Sequence, residues 1–117
     1  WCGPCKAQFP YLKKLEEEYR DKDVAFVSIS IDNPKSEDKW RKMVKDKELK
    51  GIQLLAENAW RSSFAQDYVI RGIPRFILLD KKGNIISPFA PQPAIYDDNG
   101  NPISNKEIND LLDEYLN

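Results

Sequence analysis

Apolar residues recur along the chain in two periods. Phe9, Leu12, Leu15 and Tyr19 follow one another at spacings of three, three and four, which places them on one helix face. The pattern predicts a helix over residues 5–20, ended by Asp21-Lys22-Asp23. Pro10 lies inside it and removes the hydrogen bond to the Lys6 carbonyl, so a kink is expected there. Residues 24–31, VAFVSISI, are short, apolar and rich in β-branched side chains, and read as a buried strand broken by Asp32-Asn33-Pro34. Ser36 is placed as the N-cap of a second helix, with Glu37 and Asp38 in its first turn. Trp40, Met43 and Val44 face one way along it, and Lys50-Gly51 stops it. Residues 52–56 suggest a short strand.

Asn58 is expected to cap a third helix carrying Trp60, Phe64 and Tyr68 at successive i+4 positions. Residues 75–80 form a clear strand, Lys81-Lys82-Gly83-Asn84 a turn, and Ile85-Ile86 the start of the return strand of a hairpin. Residues 87–102 hold four of the eight prolines and read as a long irregular loop. Ser104 and Glu107 make a capping box before a last helix with Ile108, Leu111, Leu112 and Tyr115 on its apolar face. Alternating helices and buried strands define an α/β layered domain, a single domain over residues 1–117. Trp40 and Trp60 read as core. Lys13, Lys14, Glu16, Glu17 and Glu18 read as a solvated face, and no internal repeat is apparent.

Composition narrows the function. The 117 residues are 41% hydrophobic and 32% charged, an ordinary balance for a chain able to bury a core without a disulfide framework. Eighteen Lys and Arg against nineteen Asp and Glu give a net charge of −1, which argues against nucleic acid as partner. No apolar run is long enough for a transmembrane segment. The absence of His removes Ser-His-Asp triads, Cys-His nucleophiles and His-ligated metals together.

The chemistry is concentrated at Trp1-Cys2-Gly3-Pro4-Cys5. Two thiols at i and i+3 at a helix start can form a disulfide or share a proton, and the free N–H groups and dipole there favour a thiolate. Cys2, at the mouth, reads as the nucleophile. Cys5, one turn in and more buried, reads as the resolving thiol, with Gly3-Pro4 keeping the turn tight. The alternative, half of a structural zinc site, needs two further Cys or His ligands that the chain does not contain, so no metal is expected. A chain opening on such a motif is expected to be the C-terminal part of a longer one.

Trp1-Cys2-Gly3-Pro4-Cys5-Lys6 resembles the thioredoxin active-site signature, and Gly72-Ile73-Pro74 before a strand is similar to that family's cis-proline loop. Ser30-Ile31-Asp32, Trp40, Tyr68-Val69-Ile70, Phe76-Ile77-Leu78-Leu79-Asp80 and Gly83 resemble the TlpA/ResA branch of thiol-disulfide oxidoreductases, related to the AhpC/TSA proteins. The resemblance implies a thioredoxin-like fold, a central mixed β-sheet flanked by helices. Residues 32–57 would form the branch's helix-and-strand insert, and the strand that feeds the Cys-x-x-Cys helix would be missing. It implies that Pro74 is cis and lies against the two sulfurs, that the backbone of Ile73 is offered to an extended substrate, and that Trp1 flanks the thiols. Arg75 either contacts an acidic substrate or the Cys2 thiolate, or is a solvated charge. Gln8 departs from the Glu that cytochrome-maturation members carry three residues after the second Cys; a Gln cannot titrate, and it either sits near the dithiol or simply faces water.

The expected function is thiol–disulfide exchange. Gly-Pro between the cysteines resembles reducing members, near roughly −270 mV rather than roughly −120 mV, so the chain reads as a reductase of protein or peptide disulfides. No cofactor is expected beyond the Cys2–Cys5 pair, and electrons would come from an upstream dithiol donor. Localisation would be periplasmic or in the cell envelope, with a membrane tether outside these residues. The rivals are a peroxiredoxin-like peroxidase and a non-enzymatic binding module of a cell-envelope protein.

Overall fold

The structure is a computed structural model that describes residues 2–116. The first helix, α1 (Gly3–Glu18), starts two residues earlier than the apolar periodicity suggests, because Cys2 is its N-cap and a proline occupies its first turn. It runs unbroken through Pro10 to a C-cap at Tyr19. There follow β1 (Val27–Ser30), α2 (Glu37–Asp46), β2 (Ile52–Leu55), the short α3 (Ser63–Asp67), β3 (Leu78–Leu79), β4 (Ile85–Ser87), β5 (Ala94–Tyr96), β6 (Pro102–Ser104) and α4 (Lys106–Leu116). The chain separates into two compact units, one made of the residues up to Asp23 with those from Gly72 onward, the other of Val24–Arg71.

The strands are distributed over three two-stranded sheets rather than joined in one central sheet: β1 with β2, β3 with β4, and β5 with β6. In the 24–71 unit β1 and β2 run parallel, Val27 opposite Ile52 and Ile29 opposite Leu54. Residues 32–57 supply a helix and a strand, as expected of the insert. The 24–31 segment is not the buried strand its composition suggests. Val27, Ile52 and Leu54 each keep about half their surface exposed, because a two-stranded ribbon with no further strand beside it among the described residues shields little.

Ser36 holds the N-cap position of α2, with Glu37 and Asp38 in the first turn, as expected, but its side chain does not cap. Asn33 caps a preceding 3₁₀ turn (Pro34–Ser36) by accepting from the Lys35 N–H at 2.9 Å. Asn58 makes no capping bond either. Ala59 adopts a positive φ of 49°, a further 3₁₀ turn follows, and buried Ser62 caps α3 through the Ala65 N–H. Trp60 therefore sits on that turn, 42% exposed, and is not core, whereas Phe64 and Tyr68 stay in ring contact at 5.3 Å.

In the other unit Leu15, Tyr19, Ala90, Ala94, Ile108 and Leu112 are buried. Each large aliphatic side chain removed from water contributes about 1.5–3 kcal/mol. Polar ties join α1 to α4: the Tyr19 hydroxyl lies 2.6 Å from Asp113 Oδ1, and Asn109 Nδ2 donates to Glu18 at 2.8 Å. Tyr115 stays exposed. Ser104 belongs to β6, and Asn105 takes over as the cap of α4, its Oδ1 accepting from the Glu107 N–H at 3.2 Å.

Residues 87–102 are not an irregular loop throughout. Ala94–Tyr96 and Pro102–Ser104 pair antiparallel, with Tyr96 opposite Pro102. Their turn, Asp97-Asp98-Asn99-Gly100-Asn101, repeats the bonding of Asp80-Lys81-Lys82-Gly83-Asn84. In both, the Asp N–H donates to the Asn carbonyl, the Gly N–H donates to the Asp carbonyl, and Asp Oδ1 accepts from two further N–H groups. Both glycines have positive φ, 88° and 79°. The expected strand over 75–80 is ladder only at Leu78–Leu79, since the Phe76 carbonyl accepts from the Ala90 N–H instead.

Candidate active site

Cys2 and Cys5 are joined by a disulfide, with Cα atoms 5.2 Å apart. Cys2 ends the extended entry to α1 at φ −89° and ψ 95°, and its Sγ accepts from the Cys5 N–H at 3.1 Å. One of the otherwise orphaned donors of the helix N-terminus thus points at the sulfur that would carry negative charge after reduction. Both cysteines are half-buried, so the expected contrast of an open Cys2 and a buried Cys5 is not pronounced. Gly3 and Pro4 form the exposed first turn between them, and a Cβ built on Gly3 would meet nothing within 4 Å. Trp1 lies outside the described residues.

Gln8 does not face water. It is 2% exposed, and its amide spans the backbone of Ala94: Oε1 accepts from the Ala94 N–H at 2.9 Å and Nε2 donates to the Ala94 carbonyl at 3.1 Å. The same Nε2 donates to Gln92 Oε1 at 3.0 Å, and Gln92 Nε2 reaches the Pro74 carbonyl at 3.5 Å. Asn105 closes the set, donating from Nδ2 to the Gln92 carbonyl and from its backbone N–H to the Pro93 carbonyl, both at 2.9 Å. The helix that starts at the dithiol is thereby tied to Pro74 through side chains, and the Ile73–Pro74 peptide bond is cis. Ile73 and Pro74 are half-buried.

Arg75 is more than a solvated charge. Its Nε donates to the Pro88 carbonyl at 3.0 Å and its guanidinium lies 4.0 Å from the centre of the Phe89 ring, a cation–π pair. Phe89 itself is 75% exposed. Phe89, Gln92 and Ala94 give no signal in the sequence because they stand in a proline-rich segment that local pattern assigns to loop, and Asn105 lies beyond it, hidden behind the Ser104–Glu107 capping box. Among the described residues no cluster of His, Cys, Asp or Glu could hold a metal ion, and no helix is long and apolar enough to cross a membrane.

A redox pair at the N-cap of a helix, tied to a cis-proline segment, defines a dithiol site on a thioredoxin-like fold. The Redoxin family matches residues 1–99, and the chain belongs to that family. It is 50% identical over 32 residues to the thiol-disulfide oxidoreductase ResA of Oceanobacillus iheyensis, a match covering 27% of this chain and 17% of that protein. It is 28% identical over 85 residues to the thioredoxin-like protein YneN of Bacillus subtilis, covering 73% of this chain and 48% of the relative. The solution structure of a protein from Bacteroides vulgatus described as a thiol-disulfide oxidoreductase superposes with a TM-score of 0.69 at 39% identity, covering 98% of this chain and 64% of that one. The chain thus spans less than half the length of the curated relatives it matches. The TlpA/ResA resemblance and the thioredoxin-like fold hold.

Proposed function

We propose that this chain is a reductase of protein disulfides that works through Cys2 and Cys5. In the reduced form, the Cys2 thiolate attacks one sulfur of a substrate disulfide. The Cys2–substrate bond forms as the substrate S–S bond breaks, and the first substrate thiolate leaves and takes up a proton. The Cys5 thiolate then attacks Cys2 Sγ and releases the second substrate thiol. The Cys2–Cys5 disulfide that results is the bond present in the structure, and the substrate has gained two electrons and two protons. A partner dithiol returns the chain to its reduced form by the same exchange in reverse. The observation that carries this reading is the Cys5 N–H directed at Cys2 Sγ from the first turn of α1, which favours the thiolate at Cys2.

A polypeptide substrate would lay its main chain along Ile73–Pro74. The proposal includes no cofactor beyond the two sulfurs, and a location in the cell envelope is part of it, as the resemblance to the TlpA/ResA branch implies. The test is reduction of insulin with dithiothreitol as electron source. Cys2→Ser should abolish turnover, and Cys5→Ser should accumulate a mixed disulfide on Cys2 because attack survives and resolution does not. Faster alkylation of Cys5 than of Cys2 in the reduced protein would reverse the roles. Turnover of peroxide without turnover of insulin would favour the peroxidase alternative.

A further inference from the structure

The chain of amides between α1 and Pro74 has a fixed direction. Ala94 offers one donor and one acceptor, so it dictates which end of the Gln8 amide is oxygen and which is nitrogen. Gln8 Nε2 then requires an oxygen from Gln92, and Gln92 is left with its own nitrogen turned to the Pro74 carbonyl. Gln92 has little freedom to answer otherwise. Pro91 and Pro93 flank it, Pro93 biases it to extended backbone, and buried Asn105 holds its carbonyl and the next one. The links at Ala94 and Gln8 measure 2.9–3.1 Å. The last measures 3.5 Å and is the weakest link of the four.

We propose that Gln92 is a positioning residue for polypeptide disulfides: it transmits the register of the dithiol helix to residues 73–74 through an amide chain whose polarity is fixed from Ala94 onward. This rests on the exchange reading above and adds to it a residue whose hydrogen bonds go to Gln8, Pro74 and Asn105 rather than to the sulfurs. A polypeptide that docks its main chain on residues 73–74 needs that segment held against α1. A small aromatic disulfide, which has no main chain, does not. The ratio of kcat/KM for insulin to kcat/KM for a small aromatic disulfide therefore reports the positioning, and it is insensitive to the fraction of protein that is folded.

The experiment measures this ratio for the wild type, Gln92→Met and Gln92→Glu between acid and neutral pH. Methionine keeps the length and loses both polar ends. Ionised glutamate keeps the acceptor for Gln8 but loses the donor to Pro74. Both variants are expected to lower the ratio by about tenfold at neutral pH, a misplacement effect. In Gln92→Glu the ratio should recover as the pH falls and the carboxyl regains a proton to donate, while Gln92→Met stays low. A ratio within twofold of wild type, or equal loss on both substrates, would overturn the assignment and leave Gln92 a packing residue. If the wild type reduces neither disulfide, or if Cys2→Ser still turns over, the exchange reading itself fails and this assignment with it.

Discussion

A glutamine amide carries a donor and an acceptor on one plane, and at position 8 both are used inside the protein. A glutamate there would aim a second oxygen at the Ala94 carbonyl and at Gln92 Oε1. A buried group left in that state costs about 1–3 kcal/mol, and the carboxyl escapes it by staying protonated with a raised pKa. The folded-state pKa then lies above the unfolded value of about 4.3, so the Gln8→Glu protein is closest to wild type below that pH and loses stability as pH rises through the folded value. Thermal melts of both proteins from acid to mildly alkaline pH should show the gap widening; a gap constant with pH would mean that position 8 is open to water. Tyr19 supplies an alkaline counterpart. Burial, then its hydrogen bond to Asp113, pushes its pKa from 10.0 up to about 12. Its contribution is fully present below 10.0 and is lost as pH rises through about 12, because the unfolded chain gives up the proton first. Urea titrations on either side of pH 10 should find Tyr19→Phe less sensitive to this rise than wild type; an identical slope would place the hydroxyl in solvent.

The same five-residue turn, Asp-x-x-Gly-Asn, closes two hairpins. The first is legible in the sequence because apolar residues flank it on both sides. The second is hidden by prolines at 88, 91, 93 and 102, which weigh against strand in any local reading. Pro102 is tolerated because it opens its strand, where a missing N–H costs little. The helices are legible in position but only partly in their caps: Ser36 is the N-cap of α2, whereas Ser62 and Asn105 act where Asn58 and Ser104 are expected. Neighbouring candidates of similar capping strength differ only in the backbone angle that the folded chain gives them. The two turn glycines stand at positive φ with open space around them, so Gly83→Ala and Gly100→Ala should each cost about 1–2 kcal/mol from backbone alone. Chemical denaturation of each variant checks this, and an unchanged midpoint at either site would show that the turn relaxes to another form.

At the scale of the molecule, what the sequence reveals is what lies close in sequence. The dithiol is complete within four consecutive residues, and its partner segment at Ile73–Pro74 is marked by a proline before an apolar run. The amide chain between them is assembled by topology alone, joining Gln8 to residues 84 and 86 positions away. No periodicity encodes such a contact, because a buried Gln and an exposed one are written with the same letter. The strands suffered for a related reason. Composition reports the apolar content of residues 24–31 and 75–80, but the number of neighbours a strand acquires decides how much of it becomes ladder, and among the described residues each has one partner.

Asn99-Gly100 is the chain's one asparaginyl-glycyl step. Such steps deamidate when the glycine nitrogen closes on the asparagine side-chain carbonyl and expels ammonia. In the second hairpin that nitrogen donates to the Asp97 carbonyl at 3.0 Å, and the glycine is held at φ 79°. Ring closure must wait until the turn lets go, so it draws on local opening rather than on the intrinsic lability of the dipeptide. Deamidation at Asn99 is thereby timed by the fraying of its own hairpin.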